Sequence, residues 1–317
     1  IEIARGLAHL GHVPYEDVMM SSRYLEGAIL VYLRTNNIVA PNKSKKGENS
    51  KLEKFEGAYV QDPQKGKHDW VYDLDITSMY PSCIMSLNIS PETKIGRIEG
   101  WNPEEFIKKE NKKTYSLTHN EKVLNRYTET ELKRMMDNEN IGIATNGVMY
   151  RTDKTGLLPA LLRKWFDERV EYRKLSKKFH EEGDKEKSDY FDRRQYLQKV
   201  VLNSLYGVLG LPTFRFYDLD NAEAVTSTGQ SLIKFTRKIG NAFYNKELND
   251  KTDHCIYIDT DSVFYSALPL VQKRFPELDV SGQRIRYSSF KFPDSNENYV
   301  IKSIRRYFNG CTQKRVR

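Results

Sequence analysis

Residues 73–82 read Asp-Leu-Asp-Ile-Thr-Ser-Met-Tyr-Pro-Ser, directly after the apolar run at 70–72. A second acidic stretch lies far downstream, where residues 257–262 read Tyr-Ile-Asp-Thr-Asp-Ser. Each stretch follows a short strand pattern near a turn, which predicts carboxylates at the rim of a sheet. Crowded carboxylates repel one another unless a cation neutralises them. Brought together, the two stretches can hold Mg²⁺, which prefers one or two carboxylates plus phosphate oxygens.

The aspartates within each stretch are two residues apart. Asp73 and Asp75 share a face if they lie on a strand. Asp259 and Asp261 lie at the tip of a predicted β-hairpin. Taken alone, either pair is more often a solvated turn or a helix cap, and that alternative stays open at this point.

Helical periodicity dominates the rest of the chain. The pattern predicts helices near 1–40, 103–110, 129–137, 157–182, 185–209 and 222–246, and strands at 70–75, 213–217, 254–258 and 262–266. The long helices at 157–182 and 185–209 flank a short turn and therefore form an αα-hairpin. Asn146-Gly147 marks another turn, and residues 97–150 are otherwise mixed.

The hairpin helices carry cations close to their apolar stripes. The stripe of the first helix contains Leu158, Leu161, Leu162, Trp165, Tyr172 and Phe179. Arg169 lies within this stripe and Arg173 at its edge. A charge on a buried face needs a partner, which is either an anionic ligand or an acidic residue elsewhere in the fold.

The second helix of the hairpin separates its apolar and polar residues. Its apolar stripe contains Tyr190, Leu197, Val201, Leu205 and Val208. Lys199, Asn203 and Tyr206 lie on the opposite side, where plain solvent exposure is the competing interpretation. Together with the two arginines of the first helix, Lys199 predicts a clamp for a triphosphate. Gly207 allows a backbone or a base to approach closely.

Composition limits the class of protein. The 317 residues carry a net charge of +8, which makes polyanions plausible partners. The three cysteines lack the spacing of a zinc site, and they fit a reducing compartment. No apolar run reaches about 18 residues, so we expect no membrane span. The chain begins with Ile1 inside a helical pattern, and we expect it to be a fragment of a longer protein.

Three segments resemble the polymerase motifs of family B DNA polymerases, in that family's order. Residues 75–82 resemble the first motif, residues 199–207 the second and residues 257–262 the third. Residues 55–60 look like the segment that links exonuclease and polymerase domains in this family. Residues 89–93 and 214–218 resemble the phage and viral members. The resemblance covers about residues 50–270.

The resemblance implies an α+β fold, in which a palm with an antiparallel β-sheet packed on helices carries an α-helical-hairpin fingers subdomain. The implied division is a remnant of the exonuclease or N-terminal region with its linker at 1–60, the first part of the palm at 61–155, the fingers hairpin at 156–209 and the second part of the palm at 210–280. Residues 281–317 match nothing in the family. We expect a poorly ordered tail there, with the thumb missing.

The resemblance also implies template-directed DNA synthesis with two Mg²⁺ ions, for which Mn²⁺ can substitute. Asp75 and Asp261 would be the shared metal ligands, and Ile76 would offer its carbonyl. Asp259 would belong to the catalytic group beside them. Asp73 falls outside the motif and is interpreted as structural.

The remaining implied roles concern the substrates. The residues implied for dNTP binding are Ser78, Met79, Tyr80, Arg169, Arg173, Lys199 and Asn203. Tyr80 would exclude ribonucleotides by packing against the sugar. Tyr206 and Gly207 would border the nascent base pair and template, and Gly57 and Tyr59 would contact DNA.

The implied partners are primer-template DNA and dNTPs, with a processivity factor for the parent protein and no membrane. The implied location is intracellular, in the host cytoplasm for a phage and in the cytoplasm or nucleus for a virus. Three other functions stay open: a reverse-transcriptase-like or RNA-polymerase palm, an inactive DNA-binding polymerase homologue and a two-metal nuclease, which would need no triphosphate clamp. The separated aspartates at 259 and 261 argue against the first, and the filled catalytic positions argue against the second. The fragment alone could be inactive.

Overall fold

The computed structural model describes residues 1–43, 55–108, 113–119, 122–138 and 140–276, so the tail predicted at 281–317 lies outside the described residues. The helices are α1 (Glu2–Gly11), α2 (Ser21–Thr35), α3 (Met79–Leu87), α4 (Pro103–Lys108), α5 (Glu129–Asn138), α6 (Leu157–Glu181), α7 (Lys185–Leu209), α8 (Leu219–Leu248) and α9 (Leu268–Arg274), with a 3₁₀ helix at Tyr15–Met19. The strands are β1 (Val60–Gln61), β2 (Val71–Asp75), β3 (Lys94–Ile98), β4 (Thr114–His119), β5 (Lys122–Thr128), β6 (Ile141–Ile143), β7 (Val148–Arg151), β8 (Cys255–Asp259) and β9 (Ser262–Ser266). None of the described helices is long and apolar enough to cross a bilayer.

The first sheet carries both acidic stretches. Its four strands are antiparallel, in the order β1-β8-β9-β2. The predicted hairpin is confirmed as β8 and β9, and β2 lies along the free edge of β9. Burial alternates along β2, so Tyr72 and Leu74 face the core whereas Asp73 and Asp75 are exposed. The period of two that predicted this strand therefore also places both carboxylates on the outer face.

Helix α8 supports this sheet from below. Ile233 and Tyr244 of α8 pack in one buried cluster with Ile258, Val263 and Tyr265 of the hairpin. Val263 and Tyr265 are two residues apart on β9, which puts both side chains on the face of the sheet that packs against α8. The other face stays free for the exposed aspartates.

A second antiparallel sheet occupies the region that the sequence pattern describes as mixed. Its strand order is β5-β4-β3-β7-β6. The pattern missed it because β6 is short, β3 carries an irregularity in its pairing with β7, and β5 is exposed at six of its seven positions. Ion pairs fasten this sheet to the start of α8, where Lys94 Nζ lies 2.6 Å from Asp218 Oδ2 and Arg97 Nη2 lies 2.9 Å from Glu223 Oε2.

The predicted αα-hairpin is confirmed as α6 and α7. Asp184 begins α7 by accepting a hydrogen bond from the amide of Lys187 at 3.1 Å. The stripe prediction was wrong for Tyr190, which is 45% exposed. The neighbouring Phe191 packs between the two helices instead, and it stacks on Phe179 at a centroid distance of 5.5 Å.

The predicted strand at 213–217 was also wrong, because the structure has successive turns there. Phe214 and Phe216 are both buried, which mimics the alternation of a strand. Their segment forms local hydrogen bonds instead: the amide of Phe214 donates to the carbonyl of Leu211 at 2.9 Å, and that of Tyr217 donates to Phe214 at 3.2 Å. Two buried aromatic side chains therefore hold this loop on the core, and no strand among the described residues pairs with it.

Candidate active site

The fold brings Asp75 and Asp261 together. Asp75 ends β2, and Asp261 lies in the turn immediately before β9. The two strands are antiparallel neighbours, with Asp75 directly opposite Ser262. The amide of Ile76 donates to the carbonyl of Asp261 at 2.9 Å, and the hydroxyl of Ser262 reaches Asp75 Oδ2 at 3.5 Å. Residues 186 positions apart in the sequence thus share one rim of the sheet.

Like charges crowd this rim. Burial raises the pKa of Asp261 above its ordinary value, and the charges of Asp75 and then Asp259 raise it further. The charged form of Asp261 is therefore disfavoured in the folded chain, mainly by burial and in part by the neighbouring carboxylates. A divalent cation would relieve this repulsion.

The tip of the β8–β9 hairpin has a backbone conformation that the sequence did not reveal. Thr260 has a φ of 57°, which is uncommon for a β-branched residue. Its amide donates to the carbonyl of Tyr59 at 3.0 Å, and its hydroxyl donates to Asp259 Oδ1 at 3.0 Å. The contacts from the neighbouring segment fix the turn, and with it the directions of Asp259 and Asp261.

The donor atoms at the rim suit a hard cation. Asp75 and Asp261 contribute carboxylate oxygens, and Ile76 follows Asp75 at the same strand end. Among the described residues, no three side chains of His, Cys, Asp or Glu gather into a metal cage. A pair of carboxylates fits an ion such as Mg²⁺, which keeps water and phosphate oxygens in its coordination sphere.

Helix α3 begins beside these carboxylates. Ser78 precedes its first residue with a φ of 52°, and no side chain caps the helix start. The first amides of any helix lack intrahelical acceptors, so this end can receive an anion. The Met79 side chain is 3% exposed and packs inward. Any contact of Met79 with phosphate would therefore come from its backbone.

Tyr80 connects the carboxylates to the helical hairpin. Its ring centroid lies 4.3 Å from that of Tyr206 on α7. Burial raises the pKa of Tyr80 to about 12, and the neighbouring Tyr206 and Asp261 contribute to the same shift. The phenol is therefore neutral near pH 7, and it stands within electrostatic reach of Asp261.

The three predicted clamp residues line one cavity of about 560 Å³ on the hairpin, which Asp189 and Asp192 also line. Burial, and then the charge of Arg173, lowers the pKa of Arg169. The Nε atom of Arg169 is buried without a hydrogen-bond partner among the described residues. The acidic partner that the sequence left open is thus not observed, and Lys199 is exposed on the same face. The cavity is thus lined by both cationic and acidic side chains, and Arg169 has a buried nitrogen that no acceptor among the described residues pairs with.

The predicted base-pair and DNA residues differ in exposure, and Tyr206 is partly buried against the main core. Asn203 and Gly207 are exposed on α7, and nothing lies within 4 Å of the position that a Cβ of Gly207 would occupy. Gly57 is exposed as well. Tyr59 is partly buried, with the ammonium of Lys234 4.6 Å from its ring centroid.

Helix α8 holds the segment that carries Gly57 and Tyr59, a role that sequence reasoning missed. Thr226 Oγ1 donates to the carbonyl of Glu56 at 2.9 Å, and Gln230 Nε2 donates to that of Gly57 at 2.8 Å. The available signal was a run of small and polar residues, Thr-Ser-Thr-Gly-Gln at 226–230, inside a long helical pattern. Because such residues have low helix propensity, a run of them inside a helix indicates a role beyond helix formation.

Comparison with known proteins identifies the same region. Residues 18–270 match the sequence profile of DNA polymerase family B. DNA polymerase 1 of Pyrococcus abyssi is 30% identical over 83% of this chain. The DNA-directed DNA polymerase of Escherichia phage RB69 is 24% identical over 86% of the chain, and the DNA polymerase delta catalytic subunit of Candida albicans is 30% identical over 72%. Relatives thus come from archaea, phages and fungi, so the phage type is one among several.

A solved structure shows the same architecture. The family B DNA polymerase of Pyrobaculum calidifontis aligns with 87% of this chain at a TM-score of 0.55 and 26% identity, and the alignment covers 30% of that protein. The chain also spans 28% of the Pyrococcus abyssi polymerase and 33% of the phage RB69 polymerase. The profile match covers well over half of this chain, from the 3₁₀ helix before α2 to α9. The chain belongs to DNA polymerase family B.

Proposed function

We propose that this chain is the catalytic core of a DNA-templated DNA polymerase, which transfers a nucleotide from a dNTP to a primer 3′-hydroxyl. The observation that carries the proposal is the meeting of Asp75 and Asp261 on neighbouring strands, beside the start of α3. In this proposal the sheet β1-β8-β9-β2 and its helices form the palm, and α6 and α7 form the fingers. Family membership supports the reaction class.

The cationic cavity binds the triphosphate in this function. Arg169, Arg173 and Lys199 line it, and among the described residues the buried Arg169 Nε has no hydrogen-bond acceptor. A charged donor that is already shielded from water needs little further desolvation free energy to bind an anion, and it gains a charge-assisted hydrogen bond. Arg169 and Lys199 then stabilise the negative charge that develops on the leaving pyrophosphate.

The start of α3 and the exposed face of α7 position the rest of the nucleotide. The backbone amides of Ser78 and Met79 bind phosphate oxygens. Asn203, Tyr206 and Gly207 border the nascent base pair on the exposed side of α7. Sequence is read by base pairing with the template, so the protein contacts to primer-template DNA, including those of Gly57 and Tyr59, carry mainly phosphate and shape recognition.

The carboxylates hold the divalent ions that the reaction needs. Asp75, Asp261 and the carbonyl of Ile76 would bind two Mg²⁺, or Mn²⁺ in their place, with Asp259 beside them. When bound, such ions activate the attacking hydroxyl and neutralise the triphosphate. The raised pKa of Asp261 fits this role, because crowding leaves the rim with excess negative charge until a cation arrives.

Primer extension by the complete protein that contains this chain tests the function. We expect extension that requires template, dNTPs and a divalent metal. Equal extension on an RNA template would favour a reverse transcriptase, and primer shortening that ignores added dNTP would favour a nuclease. Template binding without extension would favour an inactive homologue.

Tyr80→Ala is expected to relax sugar selection. The ring lies beside Tyr206 and within electrostatic reach of Asp261, where it can pack against the 2′-carbon of the incoming sugar. Without the ring, the extra oxygen of a ribonucleotide no longer meets a steric barrier. We expect the ratio of kcat/KM for a dNTP over the matching rNTP to fall by about 10- to 100-fold, measured by single-nucleotide incorporation.

Tyr80→Phe is the matched control, because it keeps the ring and removes the hydroxyl. Its sugar preference should stay within about threefold of the parent. An unchanged preference in Tyr80→Ala would contradict the assigned role of this ring.

A further inference from the structure

Gly229 lies in the interior of the 30-residue helix α8, and its position is buried. Glycine is the least favourable residue of a helix interior apart from proline, so a buried glycine there calls for a packing reason. A Cβ at this position would lie 2.8 Å from Cε of Met79 and 3.2 Å from Cε1 of Tyr80. The missing side chain is therefore what lets α3 approach α8 at this point.

The two contacts differ in how easily they give way. The Met79 atom is the far end of a flexible side chain, which can rotate aside. The Tyr80 atom belongs to the edge of a rigid ring, and the ring already packs on Tyr206 at 4.3 Å. Close-packed neighbours leave no space for it to retreat in that direction. A methyl group at position 229 would therefore push the ring by a few tenths of an ångström toward its exposed side.

We propose that Gly229 is a positioning residue, whose missing side chain sets the depth of the Tyr80 ring and thereby the space left for the sugar of the incoming nucleotide. The inference rests on the proposed polymerase function and on the role of Tyr80 within it. Gly229 touches neither substrate nor metal in this scheme, and it acts through the ring alone.

Gly240 provides a matched comparison within the same helix. A Cβ there would lie 2.2 Å from the hydroxyl oxygen of Tyr265, which is fully buried in the core under the first sheet. Gly240→Ala therefore disturbs α8 packing at least as strongly as Gly229→Ala, but it does so away from Tyr80. Any effect shared by the two variants reflects general destabilisation.

The test is a double-mutant cycle in the complete protein. We expect Gly229→Ala to lower kcat/KM for a dNTP by about tenfold in the parent, and by less than about twofold when Tyr80→Ala has removed the ring. Gly240→Ala should lower kcat/KM for a dNTP by the same factor in both backgrounds. A loss that is equal in both backgrounds for Gly229→Ala, or no loss in the parent, would overturn the proposal.

A second measurement needs no activity. With ¹³C-labelled tyrosine, Gly229→Ala should shift the NMR signal of the Tyr80 ring, assigned through Tyr80→Phe, whereas Gly240→Ala should shift that of Tyr265. If Gly229→Ala folds poorly, adding Met79→Leu removes the shorter contact and leaves the push on Tyr80. An unmoved Tyr80 signal overturns the inference even if polymerase activity is present. A protein that shifts the signal but does not extend primers retains the positioning contact and refutes the proposed function.

Discussion

Asp261→Asn is expected to lower kcat for dNTP incorporation by about 10⁴-fold, which is the scale on which removal of an essential catalytic carboxylate acts. Asparagine keeps the shape of the side chain and removes one of the two charges that meet at the end of β2 and the start of β9. The rim would then hold a divalent cation poorly. Rapid-quench primer extension at saturating Mg²⁺ and dNTP measures the loss.

Asp73→Asn is the matched control for this variant. Asp73 lies two residues before Asp75 and is exposed on the same face of β2. Its substitution by asparagine removes one negative charge, as Asp261→Asn does. Its kcat should stay within about threefold of the parent. A loss of activity in Asp73→Asn comparable to that in Asp261→Asn would show that the site depends on the general charge of this face, and the assignment of Asp261 would be wrong.

Stability distinguishes a catalytic loss from a folding loss. Burial and the neighbouring carboxylates raise the pKa of Asp261, so its charged form is disfavoured in the folded state. An aspartate with a raised folded-state pKa works against folding at neutral pH and ceases to do so as the pH falls. Asp261→Asn should therefore keep or slightly raise the melting temperature without metal at pH 7. A lowered melting temperature would contradict this account of the rim.

Lys199→Ala is expected to lower kcat/KM for dNTPs by about 10²- to 10³-fold. Lys199 lines the same cavity as Arg169 and Arg173, and the three cations face it together from α6 and α7. The Lys199 ammonium would contribute to triphosphate binding and to stabilisation of the leaving group, so both KM and kcat should worsen. Steady-state incorporation with varied dNTP at fixed primer-template separates the two effects.

Lys178→Ala controls for the loss of one positive charge from the hairpin. Lys178 lies on α6, where its ammonium is 3.8 Å from Glu182 and its side chain is 63% exposed. An exposed pair of this kind contributes little, and we expect changes below about twofold in kcat/KM. If Lys199→Ala changed only the affinity for DNA and left kcat/KM for dNTP intact, the clamp assignment would fail.

Most elements near the candidate site were predictable because strong local signals mark them. The strand that ends at Asp75 and the second strand of the hairpin, β9, alternate in burial with a period of two, and a turn marks the hairpin tip. The two hairpin helices run long enough for a helical stripe to stand out, and Asp184 supplies a capping side chain. Local chemistry and tertiary structure agree at these places, as expected for elements that pack regularly.

The failures have a common cause in long-range packing. The second sheet includes an edge strand, β5, that is exposed at six of seven positions and therefore carries no alternating apolar signal. Phe214 and Phe216 alternate like strand residues, yet they anchor a loop. The exposed Tyr190 continues an apolar stripe beyond the point where the hairpin leaves the core. Local periodicity reports which residues are apolar, whereas the rest of the fold decides what they pack against.

Residue types and their order already indicate the chemistry: two pairs of aspartates at strand ends, a cationic helical hairpin and motifs in an order that resembles family B DNA polymerases. The folded structure was needed to show that Asp75 and Asp261 meet, because the pairing of β2 with β9 is a contact between distant segments. It alone decided the φ of 57° at Thr260 and the contact of Gly229 with Tyr80. The type of each side chain can be read directly from the sequence. How closely one helix or strand approaches another depends on the packing of the whole core, which no local pattern encodes.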